Sequence, residues 1–239
     1  PQKNKAIRRF IPKFDIGDIH LRPLTSADAF AHKRMCDFNS DYFYQYLGFA
    51  ENIQYWNLGQ HKAWLELNQS VGYPFENYGA FYEDNLLGSF SYGRTGDLLG
   101  TQICYYIGRE SANMGIATEV TNVLVEKAFT LAGFAYVELH IDSSNIPSQK
   151  VAKKTGFELA KEYSSEKIGS KGTGTMQLWI RTNPNNQHGI TLENFKNDDY
   201  KYLIPVYQNI QTAIDSASQM KVIADKLNRA KLALAGKIP

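Results

Sequence analysis

The chain has 239 residues, 43% of them hydrophobic and 13% aromatic, which is enough for a sizeable core in one or two domains. Its longest apolar runs are only a few residues, so no membrane-spanning helix is expected, and its first residues lack the apolar segment of a signal peptide; the expected location is cytoplasmic. A net charge of +2, with basic residues concentrated at the two ends, does not argue for nucleic acid, and no nucleic-acid partner is expected.

The two cysteines, Cys36 and Cys104, are too few for a disulfide scaffold and too far apart for a metal knuckle. Both are expected as reduced core thiols, and no bound metal is expected. In chain order, residues 1–15 read as a basic lead-in. Asp18 to Leu24 alternates like a strand, and Thr25 to Met35 opens on an N-cap residue and continues at helical spacing. Residues 40–75 are rich in Tyr and Trp and hold a clear helix over Gln60 to Asn68. Tyr78 to Glu83, Leu86 to Gly93 and Gly100 to Gly108 read as an antiparallel meander with turns at Glu83–Asn85 and Arg94–Asp97.

Ile116 to Gly133 follows with Val120, Leu124, Ala128 and Leu131 on one helical face and a closing glycine. Tyr136 to Asp142 is an alternating strand and Ser148 to Gly156 a short helix, before strands over Phe157 to Tyr163 and Met176 to Arg181. The pattern is that of an α/β domain over residues 16–182. Thr182 to Gly189 reads as a linker dense in turn residues, so a boundary is set at 183–189. Residues 190–239 read as a helical extension of about two helices, broken near Pro205.

Glu110 to Glu119, E-S-A-N-M-G-I-A-T-E, joins a strand to a helix through a polar loop. A helix N-terminus offers unpaired N–H groups and positive dipole, and Gly115 and the small Ala117 allow close approach of a ligand. The loop therefore suits a phosphate or pyrophosphate, although a tight turn alone also explains one glycine. It is neither a dinucleotide fingerprint nor a P-loop.

Three blocks give the sequence a family likeness: Leu21 to Ala29 (L-R-P-L-T-S-A-D-A), Tyr105 to Glu119, and Val137 to Phe157, which includes N-I-P-S-Q-K-V-A-K-K-T-G-F. In these the chain resembles the GCN5-related N-acetyltransferase (GNAT) superfamily, in particular its RimJ/RimL-like branch, which acetylates the N-termini of ribosomal proteins. The resemblance implies a mixed, mostly antiparallel sheet flanked by helices, with acetyl-CoA in a V-shaped opening between the strands around Tyr105 and Val137. It places the backbone of Asn113, Met114, Gly115, Ile116, Ala117 and Thr118 around the pyrophosphate and that of Tyr105, Tyr106 and Ile107 beside the acetyl group. The family's Q/R-x-x-G-x-G/A pattern falls on Ala112 to Ala117; Gly115 and Ala117 fit it and Ala112 does not.

The resemblance further implies that the amine attacks the thioester directly. The tyrosine that many relatives use to protonate the departing thiolate is replaced here by Ala152. The branch implies Ser148 as acid instead, with a helix cap as its alternative role, and Asn145 against the cofactor arm. Glu138 is the expected base; His140 and Asp142 share its strand face. A protein α-amine, with a reference pKa of about 7.7–8.0, needs less help from a base than a lysine near 10.4. Asp41 to Gly48, the helix around Trp64 and the Glu166 to Gly174 hairpin, read as flexible, are expected on the acceptor side.

Ile223, Leu227, Ala230 and Leu234 fall on one helical face amid basic residues. The C-terminal helices are expected to pack on the domain, a second subunit or a partner. The functional expectation is an acetyl-CoA-dependent N-acetyltransferase of a primary amine, a protein N-terminus first. The alternatives are acetylation of small amines (polyamines, amino acids, aminoglycosides) and a non-catalytic acyl-CoA-binding or interaction protein.

Overall fold

A computed structural model describes residues 14–48, 50–69, 75–95 and 99–197. Its strands are β1 (Phe14–Ile16), β2 (Ile19–Pro23), β3 (Phe75–Tyr82), β4 (Asn85–Arg94), β5 (Gly100–Ile107), β6 (Tyr136–Asp142), β7 (Glu158–Ser164) and β8 (Thr175–Thr182). The helices are α1 (Ala29–Phe43), α2 (Ala50–Ile53), α3 (Leu58–Asn68), α4 (Ile116–Thr130), α5 (Ile146–Lys154) and α6 (Leu192–Lys196). One eight-stranded sheet runs in the order β1-β2-β3-β4-β5-β6-β8-β7.

Every neighbouring pair is antiparallel except β5 and β6. Those two pair in parallel, and only from Gly100–Gln102 to Tyr136–Glu138. Beyond that point β5 continues to Ile107 and β6 to Asp142 with no further pairing between them. The sheet therefore opens into a V, whose backbone groups point into the gap instead of bonding to each other.

Strand alternation divides the core. On β5, Tyr105 and Ile107 pack with Val120 and Leu124 of α4, whereas Tyr106 packs with Phe43 of α1 and Leu65 of α3. Thus α4 lies on one face and α1 to α3 on the other. Burial of Ile116, Val120, Leu124 and Ala128 follows the expected face of α4, but Leu131 falls beyond the helix and is exposed.

Local chemistry sets the helix starts. Asp28 accepts the Thr25 N–H at 2.8 Å and both Arg22 guanidinium nitrogens at 2.9 and 2.6 Å, which fixes the β2–α1 corner. Asn57 and Gln60 bond reciprocally at 3.0 and 2.8 Å to start α3.

Several expectations need correction. Phe14 and Asp15, assigned to the lead-in, belong with Ile16 to the sheet, paired with Ile19 to Leu21. The segment read as a linker is held tightly. Asn183 is buried and donates its N–H to the Ala135 carbonyl, and Asn186 bonds Ile190 at both main-chain atoms. It leads into α6, whose Phe195 packs edge-on against Tyr136. The remaining C-terminal expectations, including the face of Ile223, Leu227, Ala230 and Leu234, lie outside the described residues. Among the described residues no helix is long and apolar enough to cross a membrane.

Candidate active site

The V between β5 and β6 holds a cavity of about 640 Å³. Four elements converge on it: the end of β5, the loop into α4, the β6–α5 junction, and the chain following α1. Of the expected site residues, Tyr105, Tyr106, Ile107, Asn113, Gly115, Ile116, Ala117, Thr118, Asn145 and Ser148 all line this cavity. Segments far apart in sequence thus meet at one place.

The loop before α4 turns through two left-handed residues, Asn113 (φ 64°) and Gly115 (φ 86°). Asn is among the non-glycine residues that enter this region at least cost, which explains how the chain accommodates it there. A Cβ built on Gly115 would meet nothing within 4 Å. The glycine is therefore required by its φ and leaves the approach open. The first helical bond of α4 runs from Glu119 N–H to the Gly115 carbonyl at 3.0 Å. The N–H groups of Ile116, Ala117 and Thr118 precede that ladder and sit at the positive end of the helix dipole.

Lys150, Lys154 and Lys171 also line the cavity, and no Asp or Glu is among its described lining residues. Lys150 and Lys154 stand four apart on α5, so they share a face. Unpaired N–H groups, an open glycine and clustered ammonium groups form a donor set that fits a polyphosphate-bearing acyl carrier. The lysines escaped the sequence reading, though the spacing in Q-K-V-A-K-K was the available signal.

At α5 the cap is Asn145, whose Oδ1 accepts the Ser148 N–H at 3.3 Å. Ser148 stands one turn inside the helix, so its hydroxyl is not spent as the cap. Beside it lies Tyr105. The Tyr105 hydroxyl is buried without a partner in hydrogen-bonding geometry. Burial pushes its pKa up to about 12, and the adjacent Ser148 side chain partly offsets this. The two hydroxyls thus lie side by side without closing a bond.

Two expected residues lie elsewhere. Met114 is exposed and is not among the lining residues. Glu138 is not among the lining residues: it sits opposite Gln102, at the last paired position before β5 and β6 part. There its carboxylate meets His140 Nε2 at 3.0 Å, while His140 Nδ1 meets the Tyr163 hydroxyl at 2.5 Å. His140, on the same face of β6 as alternation implied, is thus its hydrogen-bond partner.

Tyr42, Gln45, Tyr46 and Leu47, from the segment expected on the acceptor side, form one wall of the cavity. The hairpin between β7 and β8, read as flexible, is pinned to that wall by main-chain bonds from Ser170 N–H to the Tyr44 carbonyl (2.9 Å) and from Lys171 N–H to the Gln45 carbonyl (3.0 Å). A Cβ at Gly169 would run into the Tyr44 and Gln45 carbonyls, so only glycine permits this approach. Asp142 secures the other side, accepting the Ser144 N–H at 2.9 Å and the Thr173 N–H at 2.8 Å.

The family model of the acetyltransferase (GNAT) domain matches residues 18–158. The chain belongs to the GNAT family. It is an N-acetyltransferase. Over 144 residues it is 28% identical to the probable N-acetyltransferase YjcK of Bacillus subtilis, an alignment covering 58% of this chain and 80% of that protein. In fold it is similar to the ribosomal-protein-S5-alanine acetyltransferase of Vibrio fischeri, with a TM-score of 0.64 at 17% identity over 74% of this chain and all of that one. It is also similar to the ribosomal L7/L12 α-N-protein acetyltransferase RimL in complex with coenzyme A, with a TM-score of 0.65 at 14% identity over 72% and 98% of the two chains. At these identities the structural likenesses establish the fold.

Proposed function

We propose that this GNAT protein transfers the acetyl group of acetyl-CoA to a primary amine, with a protein N-terminal α-amine as the preferred class. The observation that carries the cofactor assignment is the cavity itself. It is lined by the open N-terminus of α4, Gly115 and three lysines, which together suit the phosphates of the carrier. Acetyl-CoA supplies an activated acyl group on a good thiolate leaving group.

The chain's own residues then have three tasks. Main-chain groups at the end of β5, beyond its pairing with β6, orient the acyl carbonyl and favour charge developing on its oxygen. Ser148, on the first turn of α5, delivers a proton to the departing sulfur. The packed walls formed by Tyr42, Tyr46 and the hairpin around Lys171 position the amine.

Glu138, engaged with His140 and outside the cavity lining, is not needed as a direct base. An α-amine is partly neutral near pH 7, and its proton leaves to solvent in the open cleft once the carbon–nitrogen bond forms. The same lining speaks to the acceptor. With no carboxylate among its described lining residues, it offers no anionic partner to the several positive charges of polyamines and aminoglycosides, and so disfavours them. A neutral or acidic peptide N-terminus fits better, and the RimL and S5-alanine acetyltransferase relatives in fold support that choice.

The test is thiol release from acetyl-CoA with a panel of peptides, amino acids, polyamines and aminoglycosides. Turnover on peptides whose α-amine is free, and none on the same peptides with blocked N-termini, is the expected result. Faster turnover on spermidine than on any peptide would refute the assignment of acceptor class.

A further inference from the structure

A second polar cluster lies behind the cavity wall, on the opposite face of the sheet from α4 and α5. His32 and Cys36 stand four apart on α1, and His61 faces them from α3; all three are fully buried. One nitrogen from each ring and the Cys36 sulfur lie within 4.8 Å of one another. His32 is the centre of the group. Its Nδ1 is 2.9 Å from His61 Nδ1, its Nε2 is 2.8 Å from the Tyr106 hydroxyl, and its Nε2 is 3.8 Å from Cys36 Sγ.

Hydrogen bonding alone does not satisfy this group. His61 Nε2 is buried with no partner. Of the two Nδ1 atoms in contact, one must carry a proton and the other a lone pair, and whichever tautomer is chosen His61 Nε2 stays unmatched. Packing adds no relief, because the neighbours are rings. Trp64 stacks on His32 with centroids 5.0 Å apart, and Trp56 meets His61 edge-on at 5.5 Å.

We propose that His32, Cys36 and His61 form a closed site for a tetrahedral transition-metal ion of the zinc class. Two imidazoles and one thiolate are the ligand chemistry that such ions select over magnesium or calcium. The nitrogens and sulfur of a tetrahedral zinc site are separated by roughly 3.3–3.6 Å, given bonds of about 2.0–2.3 Å. The 2.9 Å contact to His61 and the 3.8 Å contact to Cys36 are made by different nitrogens of His32, so one ring nitrogen must serve both partners; one donor atom from each of the three residues lies within 4.8 Å of the other two. Tyr106 is placed either to complete the coordination or to hold the second ring nitrogen of His32, the usual arrangement behind a ligating histidine. Binding is balanced by release of the Cys36 thiol proton to solvent, with no redox change. The ion ties α1 to α3 directly behind Tyr106, a residue of the cavity wall.

The proposal is independent of the acetyl-transfer reading, and its test does not use activity. The full chain, carrying a tag that binds no metal, is unfolded under reducing conditions and refolded with one equivalent of Co(II), then desalted. Near-stoichiometric retained cobalt is expected, with tetrahedral d–d bands and a sulfur-to-cobalt charge-transfer band. Cys36→Ser should abolish the charge-transfer band and Cys104→Ser should leave it. Should Cys36→Ser fail to refold, His61→Gln decides, since it should weaken cobalt retention at least tenfold. Failure of the wild-type chain to retain cobalt overturns the proposal. So does a sulfur-to-cobalt band that survives Cys36→Ser, or retention unchanged in a folded His61→Gln chain.

Discussion

The hydroxyl of Tyr105 on β5 lies beside that of Ser148 on α5, buried and without a closed hydrogen bond, at the wall of the cavity. With Asn145 serving as the helix cap, this neighbour is what distinguishes Ser148 from an ordinary first-turn serine. If Ser148 is the proton donor, Ser148→Ala should lower kcat by about 100-fold or more while leaving the acetyl-CoA Kd within about twofold. Isothermal titration beside steady-state kinetics separates the two quantities. Tyr105→Phe keeps the ring stacked on Phe90 and removes an unpaired buried hydroxyl. It should raise stability by about 1 kcal/mol, or about 2–4 °C in midpoint, and a loss of stability would show that the hydroxyl is bonded after all.

Glu138 should matter little to turnover. Its carboxylate is engaged with His140 and lies outside the cavity lining. Glu138→Gln preserves the shape and should change kcat/KM for an α-amine acceptor by less than about fivefold, under 1 kcal/mol of barrier. A loss comparable to that of Ser148→Ala would restore Glu138 as the base.

Lys150 and Lys154 should contribute to cofactor affinity as exposed charges. Replacing both with Ala should weaken acetyl-CoA binding about tenfold at low ionic strength, since each exposed pair is worth roughly 0.2–1 kcal/mol. The deficit should shrink as salt rises, because screening already weakens these contacts in the parent chain. An equal deficit at 0.05 and 0.5 M salt would contradict the electrostatic reading.

Much of this was legible in the sequence, for identifiable reasons. Tyr136–Asp142 was delimited correctly because strict alternation over seven residues has one reading, and the turn at Glu83 and Asp84 was announced by its polar residues, though Asn85, read as part of it, already belongs to β4. The edge strand Phe14–Ile16 was missed because three residues among basic neighbours carry no period; their pairing with β2 alone defines them. The hairpin over residues 166–174 looked mobile from its Gly, Ser and Lys content, yet main-chain bonds to Tyr44 and Gln45 hold it, and side-chain composition carries no record of these. Alternation put Glu138 and His140 on one face but says nothing of where β5 and β6 separate. His32, Cys36 and His61 come together only through the packing of α1 on α3.

Asp142 links the acceptor wall to acid stability. Burial raises its pKa, but the bonds it accepts from Ser144 and Thr173 outweigh that and hold it below the usual carboxylate range. A carboxyl depressed in the folded state stabilises above its unfolded pKa of about 3.9, and that contribution disappears as pH falls through the lower folded value. Asp142→Asn should therefore cost about 1–3 kcal/mol near neutral pH, and the gap to the parent should close below about pH 4. Urea unfolding from pH 2 to 7 checks this. A gap that is constant with pH would assign the loss to packing instead.

The most direct test of the central claim, that the V-shaped cavity binds acetyl-CoA, is the thermal unfolding midpoint measured against acetyl-CoA concentration. At about 100 times its Kd the ligand stabilises by roughly 2.7 kcal/mol, so a saturable rise of about 5–10 °C is the predicted result. An unchanged midpoint at millimolar acetyl-CoA would contradict the assignment of this cavity.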